Sequence, residues 1–289
     1  MSISIVIASK DRARYLAGAI ASLEAQAGAP PFELIAVDNG SHDDTADVLA
    51  TARSRGTIPI IALHEPRPNR SAARNRGIAV ASYPLVLFVD DDVRLPSGFV
   101  AAHVRAHRDV FWRVVNGPIV NVPSPESRPR VTIAHYSNAF FCTCNVSVPR
   151  AALQAVGGFD ESFDLYGWED TELGMRLRAH DLGRSFAWDA YLYHIKPPAD
   201  DTLEVALRRN VEKARMAARF LRKFPTSRAR LATGAYAINR RRASVMTPDW
   251  SLPLWAAAAS EFPQPLASFA RARLLDGVYV DTLSRELEP

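Results

Sequence analysis

The chain has 289 residues, 48% of them hydrophobic, which suits one large α/β domain or one domain with an appendage and allows a sizeable core. Its formal charge is only +4, so composition makes no case for a nucleic-acid partner. Cys142 and Cys144 are separated by one residue, a spacing that suits neither a disulfide framework nor a zinc site, and both read as packed thiols in a reducing compartment.

Ser2 to Ala8 alternates and is rich in Ile and Val, which predicts a first strand. No basic region or cleavage site precedes it, so a signal peptide is not expected. No apolar run approaches the ~20 residues that span a bilayer. A cytoplasmic protein is expected, at most peripheral on a membrane. Ser9-Lys10-Asp11-Arg12 is a polar turn. Tyr15 to Gln26 follows as a helix with Leu16, Ile20 and Leu23 on one face, stopped by Pro30-Pro31. Phe32 to Val37 is a second strand ending in Asp38-Asn39-Gly40-Ser41. A helix opens at Asp43-Asp44-Thr45 and runs through Ala52, and Ile58 to Leu63 is a third strand. Strands alternating with helices at this spacing predict a parallel, doubly wound α/β sheet.

A helix is expected from Asn69 through Gly77 to Ala81. Pro84 to Val93 then carries the densest chemistry. Leu85, Val86, Leu87, Phe88 and Val89 read as a strand buried on both faces. Asp90, Asp91 and Asp92 cannot remain in that core unpaired, so the strand must deliver them to the sheet's carboxyl edge. A divalent metal with a phosphate on its far side would hold such acids together. A solvated acidic turn capping the next helix gives the same pattern. Phe99 to His107 reads as a helix, Val114 to Val120 as a strand, Pro123 to Pro129 as a loop and Phe140 to Val148 as an alternating strand. A short helix from Pro149 to Val156 stops at Gly157-Gly158. After an aromatic and acidic turn, Glu169 opens a helix carrying Leu173 and Leu177, with Gly183 where a C-cap belongs, and Ser185 to His194 is the last strand.

Beyond Pro197-Pro198 the character changes. Leu203, Leu207, Val211, Ala214, Ala218 and Leu221 form one apolar helical stripe, surrounded by Arg208, Arg209, Lys213, Arg215, Arg219, Arg222 and Lys223. Residues 1–200 are therefore expected to form an α/β domain and 201–289 a basic, mainly helical C-terminal extension. Its cations suit either a solvated face or an anionic membrane surface or carrier lipid.

Six stretches share one known pattern: Ser4 to Arg12, Val37 to Thr45, Ala73-Arg74-Asn75-Arg76-Gly77, Asp90-Asp91-Asp92, Gly157-Gly158-Phe159-Asp160-Glu161 and Trp168-Glu169-Asp170-Thr171-Glu172-Leu173. Together, and in this order, they resemble the family 2 glycosyltransferases of GT-A fold, over roughly residues 2 to 200. The resemblance implies a nucleotide-sugar donor, UDP favoured, a divalent metal (Mn2+ or Mg2+), inversion at the anomeric carbon and a carbohydrate or lipid-linked acceptor. It places Asp38 and the backbone of Ala8 and Ser9 at the donor base, Arg74 at the diphosphate and Asp90 near the ribose. Asp91 is grouped with the donor site, its side chain turned away from its two neighbours. Asp92 becomes a metal ligand, joined by His194. Asp170 becomes the general base and Glu169 its partner, while Trp168, Tyr166 and Asn145 would meet acceptor or donor sugars.

Each role has a plainer counterpart: an Asx turn at Asp38, a surface cation at Arg74, a structural histidine at His194, ordinary packing of Trp168 and Tyr166. Asp170 would equally serve as a helix cap, where the helix dipole would lower its pKa. Two rival functions fit part of the pattern. A sugar-nucleotide nucleotidyltransferase would want a glycine-rich loop after the first strand, where Ala8-Ser9-Lys10-Asp11-Arg12 has none. A non-catalytic nucleotide-sugar binder would not need both acidic pairs.

Overall fold

The computed structural model describes residues 1–288, with all their side chains except those of Ser244 and Asp249. The chain divides into two units, one of Met1–Asp164 and Glu169–Pro197, the other of Leu165–Trp168 and the residues from Pro198 onward.

In the first unit the strands are β1 (Ile3–Ser9), β2 (Phe32–Asp38), β3 (Ile60–His64), β4 (Leu85–Val89), β5 (Val93–Arg94), β6 (Arg113–Asn116), β7 (Ile119–Val122), β8 (Asn145–Pro149), β9 (Gly183–Phe186) and β10 (Leu192–Ile195). The helices are α1 (Ala13–Glu24), α2 (Thr45–Arg55), α3 (Arg70–Val80), α4 (Phe99–Ala106), α5 (Arg150–Ala155) and α6 (Glu169–Ala179). Seven strands form one sheet in the order β3-β2-β1-β4-β8-β6-β9, and β5-β10-β7 form a second. The large sheet is parallel except for β8, which runs antiparallel to both β4 and β6.

The even hydrophobicity of the central strands follows from burial on both faces. Ile3, Ile5, Ile7, Leu85 and Leu87 pack with Leu16, Ile20 and Leu23 of α1. Val6, Val37, Val86 and Phe88 pack on the other face with Ala73 of α3 and Leu173 and Leu177 of α6. Each such side chain contributes about 1.5–3 kcal/mol by leaving water. Helix α3 starts where the Asn69 side chain accepts the Ala72 N–H. It lies so close to β1 that a Cβ on Gly77 would sit 2.5 Å from Val6 Cγ1.

Several sequence expectations change. The strand expected over 114–120 breaks at Gly117-Pro118 into β6 and β7, which belong to different sheets. Pro118 has no N–H to give a ladder, and a Cβ on Gly117 would overlap the Ala190 carbonyl oxygen at 1.8 Å. Ser185 to His194 likewise divides into β9 and β10 around a turn. Of Phe140 to Val148, only residues from Asn145 onward join a strand. Gly183 opens β9 instead of capping α6, and the left-handed residue after that helix is Asp181, with φ 58°. The triplet leaves the strand as expected, yet Asp91 and Asp92 stay buried at 5% and 8% exposure.

The second unit is helical: α7 (Leu203–Lys223), α8 (Ser227–Thr233), α9 (Ala237–Met246), α10 (Leu252–Glu261) and α11 (Leu266–Leu287). Helix α7 lies along α11, where Asn210 donates to the Leu275 carbonyl at 2.5 Å and Arg215 pairs with Glu286 at 3.6 Å. The apolar stripe is deep only in its second half. Ala214, Ala218 and Leu221 are buried, while Leu203, Leu207 and Val211 are half-buried. Among the described residues, no helix is long and apolar enough to cross a membrane.

Candidate active site

Parallel strands β1, β2 and β4 end together, so Ser9, Asp38 and Asp90 to Asp92 meet at one edge of the sheet. Ser9 and Asp38 are direct partners across β1 and β2. Asp38 Oδ1 accepts the N–H of Ser41, three residues on, at 2.9 Å, and its Oδ2 lies 3.2 Å from His64 Nδ1. Ser9 is buried and donates its hydroxyl to Asp91 Oδ2 at 2.7 Å, and Ala8 is half-buried beside it.

The aspartates divide between two cations. Arg12, just past β1, reaches Asp92 Oδ2 at 2.5 Å and Asp91 Oδ1 at 3.4 Å. Burial pushes the Asp91 carboxyl up to about 7, although Arg12 opposes the shift. Burial acts the same way on Asp92, but His194 and Arg12 outweigh it and hold that carboxyl below its ordinary value. His194, on β10, places Nε2 2.9 Å from Asp92 Oδ1. Ligand atoms of Asp90, Cys144 and His194 all lie within 4.8 Å of one another. Carboxylates with an imidazole are a donor set that suits Mn2+ or Mg2+; Asp90 and His194 offer it here, with Asp92 joined to them through its 2.9 Å contact with His194. Cys144 is the third member of that group, and burial raises its pKa well above the ordinary thiol value. It is a free, packed thiol, as is Cys142, whose pKa burial pushes up to about 12.

Arg74 links the triplet to the second acidic pair. It is 8% exposed, 3.3 Å from Glu169, 3.7 Å from Asp90 and 4.0 Å from Asp170 Oδ1. Its guanidinium lies 5.5 Å from the Phe159 ring centroid. Glu169 and Asp170 form the first turn of α6. Asp170 Oδ2 accepts both the N–H and the hydroxyl of Thr143, at 2.8 and 3.0 Å. Its Oδ1 is buried and has no hydrogen-bond partner among the described residues. The expected lowering of its pKa by the helix end is overturned. Burial first, then the charge of Glu169, push it up to about 7 against the pull of Arg74. A carboxylate with that affinity for a proton is suited to general-base work near neutrality.

Of the three expected sugar contacts, Asn145 is engaged inside the first unit, and Trp168 and Tyr166 fall in the second. Asn145 is 1% exposed and its amide is fully engaged: Nδ2 donates to the Pro118 and Ala190 carbonyls, and Oδ1 meets His103 Nε2 at 2.9 Å. It ties β8 to the break in the neighbouring strand instead of facing a ligand. Trp168 and Tyr166 belong to the second unit. There Trp168 stacks on Phe220 with centroids 5.0 Å apart, and Arg209 lies over the Tyr166 ring at 5.8 Å. Trp168 adopts φ 72°, a left-handed conformation that a side-chain-bearing residue holds only when its surroundings fix it. Arg12 and Thr143 carry much of the geometry without having been singled out. Arg12 stood in a polar turn that reads as a simple connection, and nothing in Cys142-Thr143-Cys144 marks a partner for a carboxylate 27 residues away.

The glycosyl transferase family 2 profile matches residues 4–145, and a profile described as the N-terminal domain of galactosyltransferase matches 130–196. Validoxylamine A glucosyltransferase of Streptomyces hygroscopicus subsp. limoneus is 30% identical over 264 residues, which cover 78% of this chain and 57% of that protein. Chondroitin synthase of Pasteurella multocida is 23% identical, over 70% of this chain and 25% of its own length. The chain thus spans well under two thirds of these relatives. Among solved structures, TarS of S. aureus aligns with a TM-score of 0.57 at 20% identity, over 98% of this chain and 90% of the other. A Pyrobaculum calidifontis mannosyltransferase solved with GDP-Man and Mn2+ aligns with a TM-score of 0.64 at 15% identity, over 99% and 86%. The sheet that gathers two acidic pairs around Arg74 is therefore a GT-A sheet, and the chain belongs to the family 2 glycosyltransferases.

Proposed function

We propose that this protein is an inverting, metal-dependent glycosyltransferase that moves a sugar from a nucleoside-diphosphate sugar to an acceptor hydroxyl, in the assembly of a polysaccharide, glycolipid or glycoconjugate. UDP is the favoured nucleotide, in keeping with S. aureus TarS, which has been solved with UDP and UDP-GlcNAc. The observation that carries this reading is Asp170. One of its oxygens is fixed by Thr143, the other accepts no hydrogen bond and has Arg74 4.0 Å away, and its pKa is raised to about 7.

In this reading Asp170 takes the proton of the acceptor hydroxyl as that oxygen attacks the anomeric carbon. The bond to the nucleoside diphosphate breaks on the opposite side, which inverts the centre. Glu169 keeps the proton affinity of Asp170 high and orients the acceptor. Asp38 and the backbone at Ala8 and Ser9 receive the base, Asp90 the ribose, and Arg74 the diphosphate through the bidentate geometry of its guanidinium. Asp92 and His194 would hold the divalent ion, which when bound supplies charge neutralisation for the departing diphosphate. Trp168 and Tyr166, on the chain segment leading into Glu169, are the proposed acceptor contacts, and the acceptor is a carbohydrate or a lipid-linked sugar.

The exposed apolar residues of the second unit favour an additional, peripheral membrane contact. Ile238, Val245 and Trp250 are 79%, 74% and 75% exposed, and Arg240 is exposed beside them.

A thermal-shift panel of UDP, GDP, TDP and CMP, each with Mn2+ and then with EDTA, tests the reading. A ligand that binds only the folded chain must raise Tm. Stabilisation by one diphosphate, lost with EDTA, is expected. No shift with any of the four counts against a transferase, and stabilisation by a nucleoside triphosphate instead would favour the nucleotidyltransferase.

A further inference from the structure

Away from the acidic site, the far edge of the large sheet carries a group of rings with no role in the chemistry above. Phe186 ends β9, Trp188 stands in the turn after it, and Tyr136 comes from the loop before Phe140. Phe186 meets Trp188 at a centroid distance of 5.0 Å and Tyr136 at 4.9 Å, and Tyr136 lies nearly parallel to Trp188, 28° between planes. The Arg184 guanidinium lies 5.6 Å from the Tyr136 centroid and 5.9 Å from that of Phe186. Despite these contacts Trp188 and Tyr136 remain 42% and 43% exposed. Rings grouped at a surface and left half in water are not positioned by core packing.

The platform is held in place. Arg184 donates to the carbonyls of Ala139 and Ser137, and Asn116 donates to the Phe140 carbonyl at 3.0 Å. Its position follows from the strand register. Phe88 pairs with Val146, Val146 with Asn116, and Asn116 with Phe186, so these residues lie on one line across the sheet. Three strand spacings separate Phe88 from Phe186, about 14 Å. Asp90 is two residues beyond Phe88, and β4 and β9 end at the same edge. The loop that carries Tyr136 continues to Thr143, the residue that holds Asp170.

We infer that Tyr136, Phe186 and Trp188 form a saccharide subsite that binds acceptor units remote from the reacting one. Flat ring faces match the C–H faces of pyranoses, and the fixed loop presents them along the edge that leads to Asp170. The word acceptor rests on the transferase reading; the carbohydrate binding itself does not. A subsite of this kind gives a chain-length preference: longer saccharides gain a contact that a monosaccharide cannot reach.

The test is titration of the full chain with maltohexaose, cellohexaose, chitohexaose and their monosaccharides, read by calorimetry and by tryptophan fluorescence. The wild type is expected to bind at least one hexasaccharide and none of the monosaccharides measurably. Trp188→Ala and Tyr136→Ala should each weaken that binding about tenfold or more. Trp188→Phe should restore part of it, and Tm and the nucleotide thermal shift should be unchanged in all three variants. Equal hexasaccharide affinity in wild type and Trp188→Ala overturns the inference, and so does failure of every hexasaccharide to bind. Trp188-dependent saccharide binding with no nucleotide response upholds the subsite while removing the transferase reading.

Discussion

Asp170 gives the sharpest prediction. Replacing it with asparagine keeps the side chain's shape and both oxygen-side contacts available to Thr143 but removes its capacity to take a proton. Arg74 loses the charge of Asp170 but keeps Glu169 at 3.3 Å and Asp90 at 3.7 Å, so it stays paired and nucleotide binding should survive. Loss of a positioned general base slows turnover about 100- to 10,000-fold, or about 2.7–5.4 kcal/mol of barrier. The wild-type pH profile should carry the same signature. With the pKa at about 7, the basic form declines about tenfold for each pH unit below that value, so kcat/KM at pH 5 should be near one-hundredth of its plateau. Glu169 raises this pKa by like charge, so Glu169→Gln must move the acid limb toward lower pH. Initial rates from pH 5 to 9 with saturating metal, alongside nucleotide thermal shifts, measure both effects. A D170N enzyme at wild-type rate, or a limb that moves upward in E169Q, refutes the assignment.

Three further outcomes are expected. Asp92→Ala should abolish metal-dependent nucleotide stabilisation in the thermal-shift panel, whereas an unchanged shift would remove Asp92 from the proposed metal site. His103 and His107 are buried, both joined to Ser147, and burial pushes their pKa values down to about 3 and about 4 from an ordinary 6.5. The unfolded chain therefore binds protons first, and stability should be full above pH 6.5 and fall as pH drops toward 4, by about 1.4 kcal/mol per pH unit for each histidine. Urea unfolding at pH 7, 6 and 5 checks this, and a His103→Gln variant with the same pH slope as wild type would contradict it. If the second unit contacts membranes, sedimentation with vesicles containing phosphatidylserine should exceed that with neutral vesicles and decline with added salt. Association that ignores salt, or does not occur, leaves the exposed apolar residues without that role.

Most of the first unit was legible because its signals are local. The buried strand ending in Asp90, the alternation of strands and helices and the acid-opened helix at Glu169 each follow from a few neighbouring residues. The misreadings share a different cause. Val114 to Val120 and Ser185 to His194 both look continuous in hydrophobicity, yet each serves two sheets, and the break depends on the close passage of Gly117 and the Ala190 carbonyl. Asn145 resembled a ligand-facing polar residue because its partners, Pro118, Ala190 and His103, lie far away in sequence. The pKa of Asp170 was misjudged for the same reason: the helix end is local and visible, whereas the burial that outweighs it comes from the assembled fold.

The same reasoning bears on how a donor enters. Asp90, Asp91, Asp92, Glu169 and Asp170 crowd around Arg12 and Arg74, and both guanidiniums already face carboxylates. A nucleoside diphosphate brings further negative charge to this acid-rich edge. Like charges a few ångströms apart repel by roughly 4 kcal/mol at the effective dielectric of a protein surface. Arg74 can turn to phosphate only if Asp90 and Glu169 gain another positive partner or a proton. The site should therefore accept the diphosphate together with a divalent cation and reject it alone. Calorimetry of UDP, GDP and TDP with and without Mn2+ tests that coupling: equal affinity of the bound nucleotide in EDTA would show that the arginines suffice, and would leave the acidic triplet without its proposed purpose.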